Sequence, residues 1–92
     1  LLSKAERKLA ANISRTLFES RYYARHHTLV STRKYVIDTI NSYNGLEVEY
    51  YEIVDGRTLQ PVDNWDATDY IVGCVTVHCG NVRLIDNIKY KE

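Results

Sequence analysis

The sequence predicts an α+β domain: two N-terminal helices packed on a small, mainly antiparallel three-stranded sheet, in the order α-α-β-β-β. Three observations predict it. Apolar residues recur at helical spacing as far as Ile40, and from Leu46 onward the period shortens to two. Between two runs rich in β-formers stands Gly80-Asn81, a pair suited to a two-residue hairpin turn.

The first helix begins behind Ser3-Lys4-Ala5-Glu6, which has the pattern of a capping box. Leu9, Ala10, Ile13 and Leu17 follow at helical spacing, with Ala24 two heptads after Ala10, and no Gly or Pro interrupts residues 4–27. The helix is therefore expected to run to about residue 24. Thr28 or Ser31 can cap a second helix whose apolar stripe is Leu29, Val36, Ile37 and Ile40. Asn44-Gly45 stops it, because both residues tolerate the left-handed conformation that ends helices.

Glu47 to Val54 reads as the first strand, closed by an Asp55-Gly56 turn. Residues 57–68 hold the single proline and single tryptophan and read as a loop. Tyr70 to Cys79 is nearly continuous in apolar and β-branched residues, the pattern of a central strand covered on both faces. Val82 to Tyr90 completes the sheet.

At 92 residues the chain is one domain, residues 1–92. An apolar fraction of 45% with one proline excludes a disordered chain, and two cysteines exclude a disulfide-dense scaffold. No apolar run approaches the roughly 18–20 residues of a membrane span. The first residues mix charges too early for a signal-peptide core, so a soluble, cytoplasmic domain is expected. The chain contains no methionine and begins with Leu1, which leads us to expect a domain cut from a longer protein.

Twelve basic and twelve acidic residues balance, but unevenly along the chain. Residues 1–46 hold eight basic groups and three acidic, a net of +5, and residues 47–92 hold four and nine, a net of −5. A basic half can attract phosphates or nucleic acid. Arg21-Tyr22-Tyr23-Ala24-Arg25-His26-His27 interleaves aromatic and basic residues as such a surface would. The same residues also suit a helix C-terminus, where cations offset the dipole and tyrosines cover the core edge.

Chemistry-bearing clusters are thin. Cys74 and His78 share one strand face while Cys79 points to the other, which argues against a zinc site and a Cys–His nucleophile and favours buried structural thiols. Glu47, Glu49 and Glu52 have no basic or His partner nearby in sequence and read as a solvated face. There is no G-x-x-x-x-G-K-[ST], G-x-G-x-x-G or H-E-x-x-H. Metal, cofactor-binding and catalytic residues are accordingly assigned to no position.

Three ordered anchors carry a resemblance. They are Leu2-Ser3-Lys4-Ala5-Glu6-Arg7 with Ser14-Arg15-x-Leu17, then Tyr50-Tyr51-Glu52-Ile53-Val54-Asp55-Gly56-Arg57-Thr58-Leu59-Gln60-Pro61-Val62, then Val82-Arg83-Leu84-Ile85-Asp86-Asn87. With these the chain resembles the C-terminal domain of the pantothenate synthetase (pantoate–β-alanine ligase) family over nearly its whole length. In place of the more aliphatic strand common in that family, it carries Cys74, His78 and Cys79.

The resemblance implies a ligase that condenses pantoate with β-alanine through a pantoyl adenylate, using ATP and Mg2+ and releasing pyrophosphate and AMP. It implies that the nucleotide and substrates are held by a Rossmann-like N-terminal catalytic domain. That domain carries His-x-Gly-His, Gly-x-Lys-Asp and Ser-Ser-Arg-Asn motifs. None of the three occurs here, so that domain would end just before Leu1. The C-terminal domain is then a lid, inactive alone, within a homodimeric enzyme that needs no nucleic acid and no membrane. Arg83 and Asp86 match the family's signature and read as structural; three residues apart on a strand, they face opposite ways. The alternative is an independent module that contacts nucleic acid or phosphates through the basic helical half.

Overall fold

In the computed structural model, which describes residues 2–92, the chain forms α1 (Lys4–Tyr23), a 3-10 turn (Ala24–His26), α2 (Leu29–Asn41), β1 (Leu46–Asp55), β2 (Ile71–Cys79) and β3 (Val82–Lys91). Leu1 and the expectation about what precedes it lie outside the described residues. The sheet is antiparallel throughout, in the order β1-β2-β3.

The start of α1 is the expected capping box: Glu6 N–H donates to Ser3 Oγ at 3.1 Å, and Ser3 N–H donates to the Glu6 carboxylate at 2.9 Å. Of the two candidate caps for α2 it is Thr28 that serves, accepting from Ser31 N–H at 3.0 Å. Past its end, Gly45 adopts φ 105°, where a side chain would be strained. β1 runs one residue further at each end than the sequence pattern suggests and β3 one residue further at its C-terminal end, whereas β2 begins at Ile71 rather than Tyr70.

Both helices lie on one face of the sheet. Ile13 and Leu17 from α1 and Leu29, Val36 and Ile40 from α2 pack on Leu46, Tyr51, Ile53, Ile71, Val75, Val77 and Cys79. The expectation that β2 is covered on both faces is corrected here. Its inward residues are fully buried, but Val72, Cys74 and His78 on the other face are only half-buried. Thr76 alone is enclosed on that side, between Tyr50 of β1 and Ile85 of β3 in the register. Side chains of flanking strands, rather than a second layer, shade the outer face. Cys74 is thus half-exposed, not the buried thiol expected, whereas Cys79 is fully enclosed.

The free edge of β1 is satisfied from outside the sheet. Val48 N–H donates to Asn41 Oδ1 at 2.8 Å, and Tyr51 C=O accepts from Arg33 Nε at 2.9 Å. Further along, Ile53 C=O accepts from Val62 N–H and Asp55 N–H donates to Gln60 C=O. Residues of α2 and of the loop thereby close an edge that would otherwise invite pairing.

Within the core, three hydroxyls form a chain. Ser20 Oγ donates to Leu17 C=O at 2.6 Å and so accepts from Tyr90 at 2.7 Å, leaving Tyr90 to accept from Tyr51. The chain ties α1 to β3 and β1. Burial raises both phenols above their ordinary range, and the neighbouring Tyr90 hydroxyl pushes Tyr51 further.

Candidate functional site

The outer sheet face gathers the charged residues that sequence spacing keeps apart. The register of β1 shifts between Val48 and Tyr50, so Glu49 is an extra residue with no opposite number on β2. Such a bulge re-aims a side chain. Glu49 Oε1 accepts from Arg83 Nε at 3.0 Å and meets His78 Nε2 at 2.7 Å, while Glu49 Oε2 accepts from the other Arg83 nitrogen at 3.1 Å. Arg83 thus grips the carboxylate with two parallel bonds, the geometry in which arginine binds carboxylates best.

Arg83, with His78 second, holds the Glu49 carboxyl below the usual carboxylate range, and Glu49 in turn raises the Arg83 guanidinium. All three residues are substantially exposed, so the cluster contributes little to stability and acts mainly as a fixed surface feature. Beside it, a shallow hollow of about 570 Å³ is lined by Tyr50, Cys74, Thr76 and Ile85.

The glutamates do line a solvated surface, as read, but two of them find partners from distant parts of the sequence. Glu49 meets Arg83 and His78 across the sheet, and Glu52 meets Arg33 of α2 at 3.3 Å. Only Glu47 stays exposed and outside any ion pair among the described residues. A signal for the bulge was available: Leu46 and Val48 set one alternation, Tyr51 and Ile53 the opposite one. A one-residue slip of phase between them marks the extra residue.

Bond-making chemistry does not follow from this face. Cys74 and His78 share it but stand four residues apart along β2, roughly 13 Å of strand, and burial holds the Cys74 thiol up in its protonated form. Cys79 lies on the inner face with Sγ 3.9 Å from Glu6 C=O. Among the described residues no group of three or more His, Cys, Asp or Glu side chains could hold a metal ion.

Arg83 and Asp86 lie on opposite faces of β3, as their spacing requires. Asp86 turns toward the helix side, accepts from Asn87 N–H at 2.8 Å, and borders a hollow with Ser14, Arg15 and Phe18. The segment from Arg21 to His27 divides in two. Tyr23 stacks on His27 and on Tyr35, and bonds Ser31 Oγ at 2.9 Å, so it fastens α1 to α2. Arg21, Tyr22 and Arg25 remain exposed on the surface. No described helix is long and apolar enough to cross a membrane.

Comparison with known proteins identifies the fold's relatives. The family model for Pantoate-beta-alanine ligase matches residues 1–89. The pantothenate synthetase of Bacteroides fragilis strain YCH46 is 62% identical over 91 residues, covering 99% of this chain and 32% of the relative. That of Phocaeicola vulgatus is 58% identical over 90 residues, covering 98% and 32%. The crystal structure of the Thermus thermophilus pantothenate synthetase superposes with a TM-score of 0.86 at 25% identity, covering 99% of this chain and 33% of that one. The chain spans about a third of the length of the relatives it matches.

Proposed function

The chain belongs to the pantoate–β-alanine ligase family, and from that premise we propose that it is the C-terminal lid domain of a pantothenate synthetase. In this reading the whole enzyme joins pantoate to β-alanine at the expense of ATP. The pantoate carboxylate attacks the α-phosphate of ATP and pyrophosphate leaves. The amine of β-alanine then attacks the acyl carbon of the pantoyl adenylate, and AMP leaves with the amide formed. A cytoplasmic homodimer is the natural setting, with substrates held and dimer contacts made in the N-terminal domain.

The part assigned to these residues is positioning and exclusion of water. An acyl adenylate is hydrolysed readily, and a lid closed over it lets only the amine reach the acyl carbon. A rigid two-layer domain suits that role, since hydroxyls tie the layers together and the fold offers no nucleophile–base pair among the described residues. These residues offer no converging set of ligands for the Mg2+ that the ligase chemistry implies, and no step through it is assigned to them.

One observation carries the proposal: the match spans 99% of this chain but only 32% of the relative, and none of the family's three phosphate-handling motifs lies within it. The test is an activity assay in two arms. The 92-residue chain alone should form no pantothenate from pantoate, β-alanine and ATP. A chimera in which it replaces the matching third of the Bacteroides fragilis relative should turn over at a rate near that relative's. Turnover by the chain alone, or an inactive but folded chimera, would overturn the proposal.

A further inference from the structure

At the far end of α1 from its capping box, a concave site lies outside the outer-face cluster. It is a hollow of about 260 Å³ lined by Arg21, Ala24, Arg25, Trp65, Tyr90 and Lys91. Two further recesses adjoin it and add Tyr22, Lys89 and Glu92. The walls therefore bring four cations together with one carboxylate, that of Glu92, which is engaged by Lys89 at 3.1 Å. Arg21 and Arg25 make no ion pair among the described residues.

The walls are held from behind. Trp65 donates its indole N–H to His27 C=O at 2.9 Å, which fixes the ring in the loop, and its ring packs at a tilt on Tyr90 at 5.2 Å. The Tyr90 hydroxyl is committed to the core, so the ring has no freedom to leave. Lys91 Nζ is anchored on Trp65 C=O at 2.7 Å, and Arg25 lies over the Tyr22 ring at 4.9 Å. Aromatic walls fixed in this way, with Lys91 anchored among them, have little freedom left to lose on binding, and the unpaired guanidinium groups beside them supply the charge. Arginine forks match the oxygens of phosphate in particular.

We infer that this hollow binds a small phosphate-bearing molecule, its phosphate between Arg21, Arg25 and Lys91 and any flat ring against Trp65. The inference does not depend on the lid reading, since every residue in it belongs to this chain and its ligand is read from the local charge.

Trp65 is the chain's single tryptophan, so its fluorescence reports on this site alone. The 92-residue chain, which has a core of its own, is titrated with inorganic pyrophosphate and with adenosine monophosphate at low salt. A saturating change in emission is expected, weakened about tenfold or more in Arg21→Ala and in Arg25→Ala. Arg15→Ala, on the same helix but bonded to Asn12 and Tyr43, should bind within about twofold of the parent. Tighter binding of the adenosine compound shows that Trp65 reads a ring; tighter binding of pyrophosphate shows that charge alone is read. Circular dichroism checks that each variant is folded, and Lys91→Ala stands in for any that is not. No saturable response at about 10 mM pyrophosphate, or an equal loss in Arg15→Ala, overturns the inference.

Discussion

The hydroxyl of Tyr51 fills the space that a β-carbon on residue 73 would need. Gly73 lies on the central strand between Ile53 and Ile88, and the Tyr90 ring borders the same space. The missing side chain is what lets two tyrosines from the outer strands meet above the middle one. The buried hydroxyl chain to Ser20 depends on that gap.

Gly73→Ala should therefore cost about 1–3 kcal/mol by overpacking, measured by chemical denaturation. Adding Tyr51→Phe removes the nearest of the clashing atoms. The double variant should be more stable than the sum of the single effects predicts, by at least about 0.5 kcal/mol. Strict additivity would show that the clash lies elsewhere.

Removing the two phenol groups should have unequal effects. Tyr51→Phe leaves Tyr90 still donating to Ser20, and should cost about 1 kcal/mol. Tyr90→Phe strands the buried Tyr51 hydroxyl and should cost more, about 1–3 kcal/mol. Both phenols are raised in the native state, so the stability they confer is complete below the unfolded tyrosine value of about 10. It is lost as pH rises beyond that value. Alkaline unfolding should accordingly begin near there in the parent and less steeply in Tyr51→Phe, and the reverse order of the two variants would refute the donor sequence.

The Glu49–Arg83 pair carries the opposite pH signature. Because the Glu49 carboxyl is lowered in the native state, its contribution is present above the unfolded glutamate value of about 4.3. It disappears as pH falls through the native value. Glu49→Gln should thus show a small loss of thermal stability at pH 7 that closes in acid. A deficit unchanged down to pH ~3 would mean that the carboxylate's charge is irrelevant.

Thiol labelling should separate the cysteines. Cys74 is half-exposed and Cys79 enclosed, so the native chain should react through Cys74 first and the unfolded chain through both at once. Burial raises the Cys74 thiol, and the rate should climb with pH beyond the range in which a free thiol levels off. Two equal rates in the native state would contradict the enclosure of Cys79.

Much of the fold was legible because its signals are local. Ser3 and Glu6 are three residues apart and satisfy each other's backbone, while Gly80-Asn81 turns the chain without outside help. The three anchors that carry the family resemblance were legible because they are linear patterns of residues, whatever those residues touch. The outer-face cluster was legible only in part. The phase slip at Glu49 marks a bulge, but His78 and Arg83 lie 29 and 34 residues downstream of it. The Trp65 hollow drew on the helix end, the loop and β3 together, and only the helix end stood out in sequence.

By itself, then, the sequence determined the kinds of element, their order, the caps and turns between them, and the family to which they belong. Each of these rests on interactions among residues a few positions apart, or on patterns that a linear reading preserves. Tertiary structure decided which charges meet, which face of β2 stays open, and that Gly73 makes room for two tyrosines. Those outcomes depend on strand register and on the space left between layers, and neither is defined until the helices have docked on the sheet.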